Sequence, residues 1–418
     1  MIALPLAEVA ALCAGRLDGA PGAESVTGVQ VDSRRISPGD LFVAVGAGET
    51  FVADALARGA AAALVPEDAL AALAALAGAV RARSRARVVG ITGSTGKTST
   101  KDILAAICAP VRRTVANEGN LNNEIGVPLT LCRLEPDTDI CILELAMRGP
   151  GQIAELCAFA KPDVGVITNV GPAHVGLLGS LEAIVRAKAE LVEALRPGAT
   201  AIVPAGFPVE RDDLEVVRLG EPVARVEHER TLLRFQGTEI AFDFTARHQA
   251  RNALAALHAA AALGVAPPAS VEVTFSPWRG EEVPLPGGGL LVNDAYNANP
   301  VSMRAALEHL VERAAGRRTV AVLGDMAELG AEGPRYHREI AEAIRRLGID
   351  VVFAVGPLSE AYVDPPVAGR TWWSPELDPN ALIERLRGEL RPGDAVLVKG
   401  SRAAGLEAVA LALAGVER

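Results

Sequence analysis

Aromatic side chains make up only 4% of this 418-residue chain. That argues against a sandwich or barrel whose core rests on Phe, Tyr and Trp. Half of the residues are hydrophobic, chiefly Ala, Leu and Val, which suits helices packed on Val- and Leu-rich strands. Cysteine is also sparse. Cys13, Cys108, Cys132, Cys141 and Cys157 are odd in number and scattered, with no metal-ligand or redox spacing, so reduced thiols in a cytoplasmic chain are expected. A basic excess is missing too: the net charge of -10 lacks the footprint of a nucleic-acid binder, although local phosphate pockets remain open. Residues 1–15 have no basic leader and carry Glu8. Leu6, Val9, Ala10 and Cys13 instead fall at helical spacing, as in an ordinary first helix. No uncharged run is long enough to span a bilayer, so no membrane contact is expected.

Lysine is the sharpest shortage. Five lysines (Lys97, Lys101, Lys161, Lys188, Lys399) stand against 36 arginines. Where a cation alone is needed this chain writes Arg, so each Lys invites a reason. Lysine offers a compact charge and an amine able to lose its proton.

Three α/β domains are expected, with boundaries at 1–86, 87–268 and 269–418. Arg81 to Arg87 alternates Arg with small residues and reads as a solvated connector. From Val88, strand and helix alternate: Val88–Thr92, Ile140–Ala146 and Val164–Val170 are apolar strands, while 180–195 and 248–263 are helices, the latter closed by Gly264. Pro267-Pro268 marks the second linker. Beyond it, apolar runs at 290–293, 319–323, 351–355 and 395–398 alternate with helical segments, as in a Rossmann-like parallel sheet.

Gly93-Ser94-Thr95-Gly96-Lys97-Thr98-Ser99 follows the strand Val88–Thr92 and opens a helix. Strand, glycine-rich turn, Lys-Thr and helix is the context of a phosphate loop, whose backbone N–H groups close around phosphate oxygens at a helix N-terminus. Lys97 would reach the β- and γ-phosphates, and the Thr98 hydroxyl would take a Mg²⁺ position. The first glycine of the common spacing is displaced: Ile91 stands there, between Gly90 and Gly93. The motif points to a nucleotide and is silent on the reaction. A P-loop kinase or regulatory NTPase would carry it too.

Glu144 ends an otherwise apolar strand, where a Mg²⁺ ligand beside a phosphate loop belongs. His174 follows the strand Val164–Val170 across a Gly-Pro turn and is a weaker candidate. Lys188 shares the stripe of Leu181, Ile184, Val185, Leu191, Val192 and Leu195. An inward ammonium needs a carboxylate partner, a depressed pKa or chemical modification, unless it snorkels to solvent. Carbamylation by CO₂ would convert it to an anionic ligand, and Glu144, His174 and a carbamylated Lys188 would suit two Mg²⁺ ions bridging ATP and an acyl group.

Phosphate loop, Glu144, His174 and Lys188, in that order, resemble the Mur ligases of peptidoglycan synthesis. The resemblance extends over nearly the whole chain through Asn120–Pro128, Asp294-Ala295-Tyr296-Asn297-Ala298-Asn299-Pro300, Leu323–Gly330 and Val398–Arg402. It implies an ATP- and Mg²⁺-dependent enzyme that joins UDP-N-acetylmuramoyl-tripeptide to D-alanyl-D-alanine through an acyl phosphate, acting as a monomer. A sibling ligase using a single amino acid is the nearest alternative.

By the same resemblance, Ser33 and Arg34 of Asp32-Ser33-Arg34 hold the UDP end, and Asn122 and Asn123 lie near the metal and acceptor. Asn252, four residues after His248, contacts adenine. The third domain closes over ATP with Arg279, Asp294, Asn297 and Asn299. Lys399, Ser401 and Arg402 are candidates for the dipeptide. Hinges are expected near Arg87 and Pro267. Family members usually carry Asp-Gly-His shortly after the Gly-Glu that Gly48-Glu49 matches. Here Thr50 runs directly into Phe51 and Val52, which shortens the loop.

Overall fold

The computed structural model describes residues 1–173, 175–365 and 369–415. His174 lies outside the described residues. The first sheet has four strands in the order Gly15–Gly19, Ala62–Pro66, Asp40–Val43, Gly28–Gln30. It is followed by the helix Ala69–Arg83, which Asp68 caps by accepting the N–H groups of Leu70 and Ala71. Such a cap stabilises a helix by about 1 kcal/mol.

That helix buries Leu73, Leu76, Ala77 and Val80 against the helices Gly126–Leu131 and Gln152–Ala160. One apolar core therefore runs from Leu4 and Leu41 through Leu76 to Leu131, Leu156 and Leu191. Arg81 adds a polar clamp across the junction, donating to the Ala160 carbonyl at 2.9 Å and pairing with Asp163 at 3.2 Å. The connector near Arg87 is thus no soft point. The first and second segments are joined through a common interior.

The second sheet is six-stranded and parallel: Glu215–Leu219, Thr200–Pro204, Val164–Ile167, Arg87–Thr92, Ile140–Glu144, Thr114–Ala116. The phosphate-loop strand lies in its middle. The loops after it and its two neighbours all open at the carboxyl edge, where α/β sheets bind ligands.

Ala224–Glu227, Arg230–Phe235 and Thr238–Phe242 form an antiparallel meander, extended by Ser270–Val271. Its two-residue turns hold His228 and Glu229, then Gln236 and Gly237, at positive φ, the geometry of tight hairpins. Leu233, Phe235, Ile240 and Phe242 pack it onto the helix Arg247–Ala262.

The third sheet runs Glu281–Leu285, Gly289–Asp294, Ala395–Lys399, Thr319–Gly324, Val351–Val355, Arg370–Ser374, with only its first strand antiparallel. Helices Pro300–Ala314 and Gly333–Leu347 cover one face, Pro379–Glu389 and Glu407–Leu413 the other. Its two cores are separate from those before it, apart from Val175, which leans on one of them.

Candidate active site

The phosphate loop needs backbone that only glycine adopts readily. Gly93 has φ +153° and Gly96 φ +77°. A Cβ on Gly93 would stand 1.9 Å from the Thr168 hydroxyl, and one on Gly96 2.2 Å from Oδ1 of Asn252. Sequence spacing had left Thr168 and Asn169 unremarked, yet they hold the loop. Thr168 donates to the Thr95 carbonyl at 2.6 Å, and Asn169 accepts the Thr95 N–H at 2.9 Å and donates to the Thr95 hydroxyl at 2.5 Å. Ser94 binds Gly171 through both its carbonyl (3.0 Å) and N–H (2.9 Å), so the turn leading to His174 is fastened to the phosphate loop. Ser99, buried, meets the Gln249 amide at 3.4 Å, and Gln249 in turn accepts from Asn252 at 2.8 Å.

Lys97 folds back to its own loop and donates to the Gly93 carbonyl at 2.7 Å. Burial pushes its pKa down; the Glu144 carboxylate opposes this and the Arg279 guanidinium adds to it. Glu144 is 1% exposed. Its two oxygens accept from the Thr98 hydroxyl at 2.7 Å and the Asn122 amide at 2.8 Å. Its N–H donates to Asn117 at 2.5 Å, another residue the sequence did not single out.

Lys188 is 1% exposed on the helix Leu181–Glu193, whose Ser180 hydroxyl caps it at the Ala183 N–H. Ile184, Leu191 and Val192 bury with it, whereas Leu181 is exposed. The lysine does not reach solvent, and no carboxylate pairs with it among the described residues. Burial, and then the charge on Lys97, hold its pKa well below the ordinary lysine range. The charged ammonium is thus disfavoured at this position. Among the described residues no three His, Cys, Asp or Glu side chains converge to hold a metal.

The third sheet turns its carboxyl edge toward this site. Lys399, 1% exposed, ties Asp294 at 2.6 Å and the Asn297 carbonyl at 2.9 Å. Arg279 lies over the Tyr296 ring at 3.9 Å, with its buried Nε unpartnered. Arg402 sits over the Trp278 ring at 5.0 Å. Ser401 donates its N–H to the Asp325 carbonyl at 3.0 Å. Two of the candidate asparagines are employed locally. Asn299 caps the helix Pro300–Ala314 in a capping box with Ser302, and Asn123 accepts the N–H groups of Ile125 and Gly126. His248 does not share a target with Asn252. It is half-buried, edge-on to the His309 ring at 6.2 Å, with its pKa lowered to about 4 chiefly by loss of solvent; the Asp294 charge opposes this, while His309 and Lys399 reinforce it.

Two glycines join the blocks near position 174. Gly176 donates its N–H to the Glu328 carbonyl at 2.9 Å, and a Cβ on Gly176 would stand 2.4 Å from the Gly330 nitrogen. Ser33 and Arg34 lie away from this centre on the first sheet. Ser33, the first residue of the 3-10 turn Ser33–Arg35, is buried, and Asp32, its pKa lowered to about 2 chiefly by Arg34, grips the exposed Arg34. The shortened loop forms the 3-10 turn Gly46–Phe51, leaving Phe51 exposed. All five cysteines are free and buried. No helix among the described residues is long and apolar enough to cross a membrane.

Residues 91–260 match the Mur ligase middle domain, and residues 278–402 the Mur ligase, glutamate ligase domain. The UDP-N-acetylmuramoyl-tripeptide--D-alanyl-D-alanine ligase of Mycobacterium tuberculosis (strain H37Rv) is 38% identical over 506 aligned residues, covering 99% of this chain and 98% of the relative. The chain belongs to the Mur ligase family. The Escherichia coli K12 protein of the same name is 34% identical to this Mur ligase, covering 99% of both chains. Among solved structures, MurF from Acinetobacter baumannii superposes with a TM-score of 0.86 at 26% identity over 99% of both chains. MurF from Thermotoga maritima, in complex with ADP, gives 0.79 at 28% identity, covering 93% of this chain and 97% of that one. This Mur ligase is accordingly an ATP-dependent ligase of mixed α/β architecture.

Proposed function

We propose that this ligase joins the terminal carboxylate of UDP-N-acetylmuramoyl-tripeptide to the amine of D-alanyl-D-alanine in the cytoplasmic synthesis of peptidoglycan precursors. The observation that carries the chemistry is the meeting of Lys97, Thr98, Glu144 and Lys188 beneath one phosphate loop, with Arg279 near Lys97 from the linker that precedes the third sheet. The choice of substrates rests on the full-length likeness to ligases of that name. We assign residues 1–86 to the UDP end, 87–268 to ATP, and 269–418 to closure and the amine.

A carboxylate is inert toward amines at neutral pH, so it must first be activated. A substrate carboxylate oxygen attacks the γ-phosphorus of ATP, the bond to the β-phosphate oxygen breaks, and ADP leaves. The amine nitrogen then attacks the acyl carbon, releasing phosphate and a proton as the amide forms. Gly93 to Ser99 hold the phosphate chain, with Lys97 and Arg279 offsetting charge on the transferring phosphoryl. Asn252 seats against Gly96 and borders the base, and Asp294, Asn297 and Asn299 sit on the loop that closes over the nucleotide. Arg34 and Ser33 take the UDP end. Asn122 and Asn123 line the approach to the acceptor, and Lys399 and Ser401 border the amine's side.

The donor set fits Mg²⁺: a buried carboxylate and a hydroxyl in contact under a phosphate loop, Glu144 and Thr98; His174 is the further candidate that the sequence offers. When bound, the metal neutralises phosphate charge. Lys188 fits a CO₂-derived carbamate, being buried, with its ammonium form disfavoured, and beside the Lys97 cation; in that form it would add a second anion to that of Glu144.

The test is ADP release from ATP with UDP-N-acetylmuramoyl-tripeptide, with and without D-alanyl-D-alanine. Sustained turnover is expected only with the dipeptide. Equal ADP release without any amine would point to a kinase or NTPase instead, and preference for a single amino acid to a sibling ligase.

A further inference from the structure

Arg279 stands only three residues beyond Ser276, and Ser276 is tied to the helix that the phosphate loop opens. Asp102 lies on that helix, Lys97–Cys108, 8% exposed. Its Oδ2 accepts the Ser276 N–H at 2.8 Å, and its Oδ1 accepts the Ser276 hydroxyl at 3.3 Å, across 174 positions of sequence. Lys101, 4% exposed, pairs with the same carboxylate at 2.5 Å, so the tether carries no net charge toward the phosphates.

The other end of this short span is fastened to the third sheet's block. The Trp278 carbonyl accepts the Tyr296 N–H at 3.2 Å, Arg402 covers the Trp278 ring, and Arg279 lies on the Tyr296 ring. Between the two fastenings stands only Pro277, whose ring fixes its φ. Trp278 follows in the left-handed region at φ +62°, a conformation that costs energy in a bulky residue and persists only when its surroundings impose it.

We propose that Asp102 is a positioning residue for phosphoryl transfer: it registers the linker, and through it the Arg279 guanidinium, to the Lys97 helix. This inference rests on the ligase reading above. The shortness of the span is the physical reason. A linker free at Ser276 would let Arg279 wander by an ångström or more while the phosphate loop stayed intact. Misplacement on the order of 1 Å costs about 100-fold in rate.

The experiment is a double-mutant cycle on the complete enzyme. Asp102→Ala is expected to lower kcat about 100-fold with ADP affinity, measured by calorimetry, unchanged. In an Arg279→Ala background the same substitution should cost almost nothing more, because both changes remove one interaction. Ser276→Pro cuts the tether from the linker side without touching the helix, and should match Asp102→Ala; it also decides the matter if Asp102→Ala does not fold. The pair Lys101→Met with Asp102→Asn keeps an acceptor for the Ser276 N–H and removes the cation, and should restore turnover close to wild type. Losses that multiply in the double mutant, weakened ADP binding, or a Ser276→Pro enzyme of normal kcat would each overturn the role. A wild-type enzyme whose ADP release ignored the amine would instead overturn the ligase reading, and is read in the same assay.

Discussion

Replacing Lys188 by Met should separate stability from turnover. The two side chains are similar in length, so the interior beside the equally buried Ile184 and Leu191 stays filled. What disappears is an amine with no carboxylate partner among the described residues, set near the Lys97 charge. A buried polar group without its hydrogen bonds costs roughly 1–3 kcal/mol in proteins. Relief of that cost should raise the melting temperature of the nucleotide-binding block by about 2–4 °C per kcal/mol. Turnover should move the other way. If the lysine bears a carbamate, its loss removes an anion from the reacting centre, and the loss of one such preorganised group typically costs about 10²–10³ in kcat. Calorimetric melting without ATP, Mg²⁺ or bicarbonate, beside ADP release under full assay conditions, reads both quantities. A short carboxylic acid added to Lys188→Ala should recover part of the rate by entering the vacated space. A lower melting temperature for Lys188→Met would mean that the lysine holds a stabilising partner. Near-normal turnover would dispose of the carbamate altogether.

Gly176→Ala places a methyl where the Gly330 nitrogen stands 2.4 Å away, so the third block cannot seat fully. Turnover should fall about 100-fold while ADP binding is retained, and small-angle scattering should show a larger radius; an unchanged kcat would remove the contact from the mechanism. His248 provides a pH test. Its folded pKa of about 4 lies below the ordinary 6.5, so the opened or unfolded form takes up the proton first. The stabilisation is full above about pH 6.5 and is lost as pH falls toward 4, by up to about 3 kcal/mol. Glu282, held near about 2 chiefly by His309 and Arg313 against its own burial, stays ionised through that window. A melting profile that keeps the same slope from pH 6.5 to 4 in His248→Gln would refute the assignment.

What could be read from sequence was whatever a single element carries. Lys188 declared itself by its place in one helical stripe, and Glu144 by ending one apolar strand; both prove almost fully buried. The phosphate loop was legible because strand, turn and helix are contiguous. Contacts between distant segments were not. Nothing local marks Thr168 and Asn169 as the pins of Thr95, or Asn117 as the partner of the Glu144 backbone. The meander after Ala224 was missed because its first turn uses His228 and Glu229, with no glycine or asparagine signal. Asn123 and Asn299 matched family motifs, and the structure gives each a capping duty as well. Lys101, unexplained at first, neutralises Asp102 on the linker tether.

The unbroken interior linking Leu4 to Leu191 has a consequence for how catalysis is timed. Whatever the N-terminal strands grasp travels as one piece with the Lys97 loop, so the activated acid is never carried toward its nucleotide by a separate arm. Closure of the C-terminal block must then pivot beside Arg279, since Ser276 is held to Asp102 on the Lys97 helix. Such a closure would be the step that shuts water out, with the acid and the nucleotide already resting together beforehand. A compound wedged under Gly330 would hold the enzyme loaded and idle.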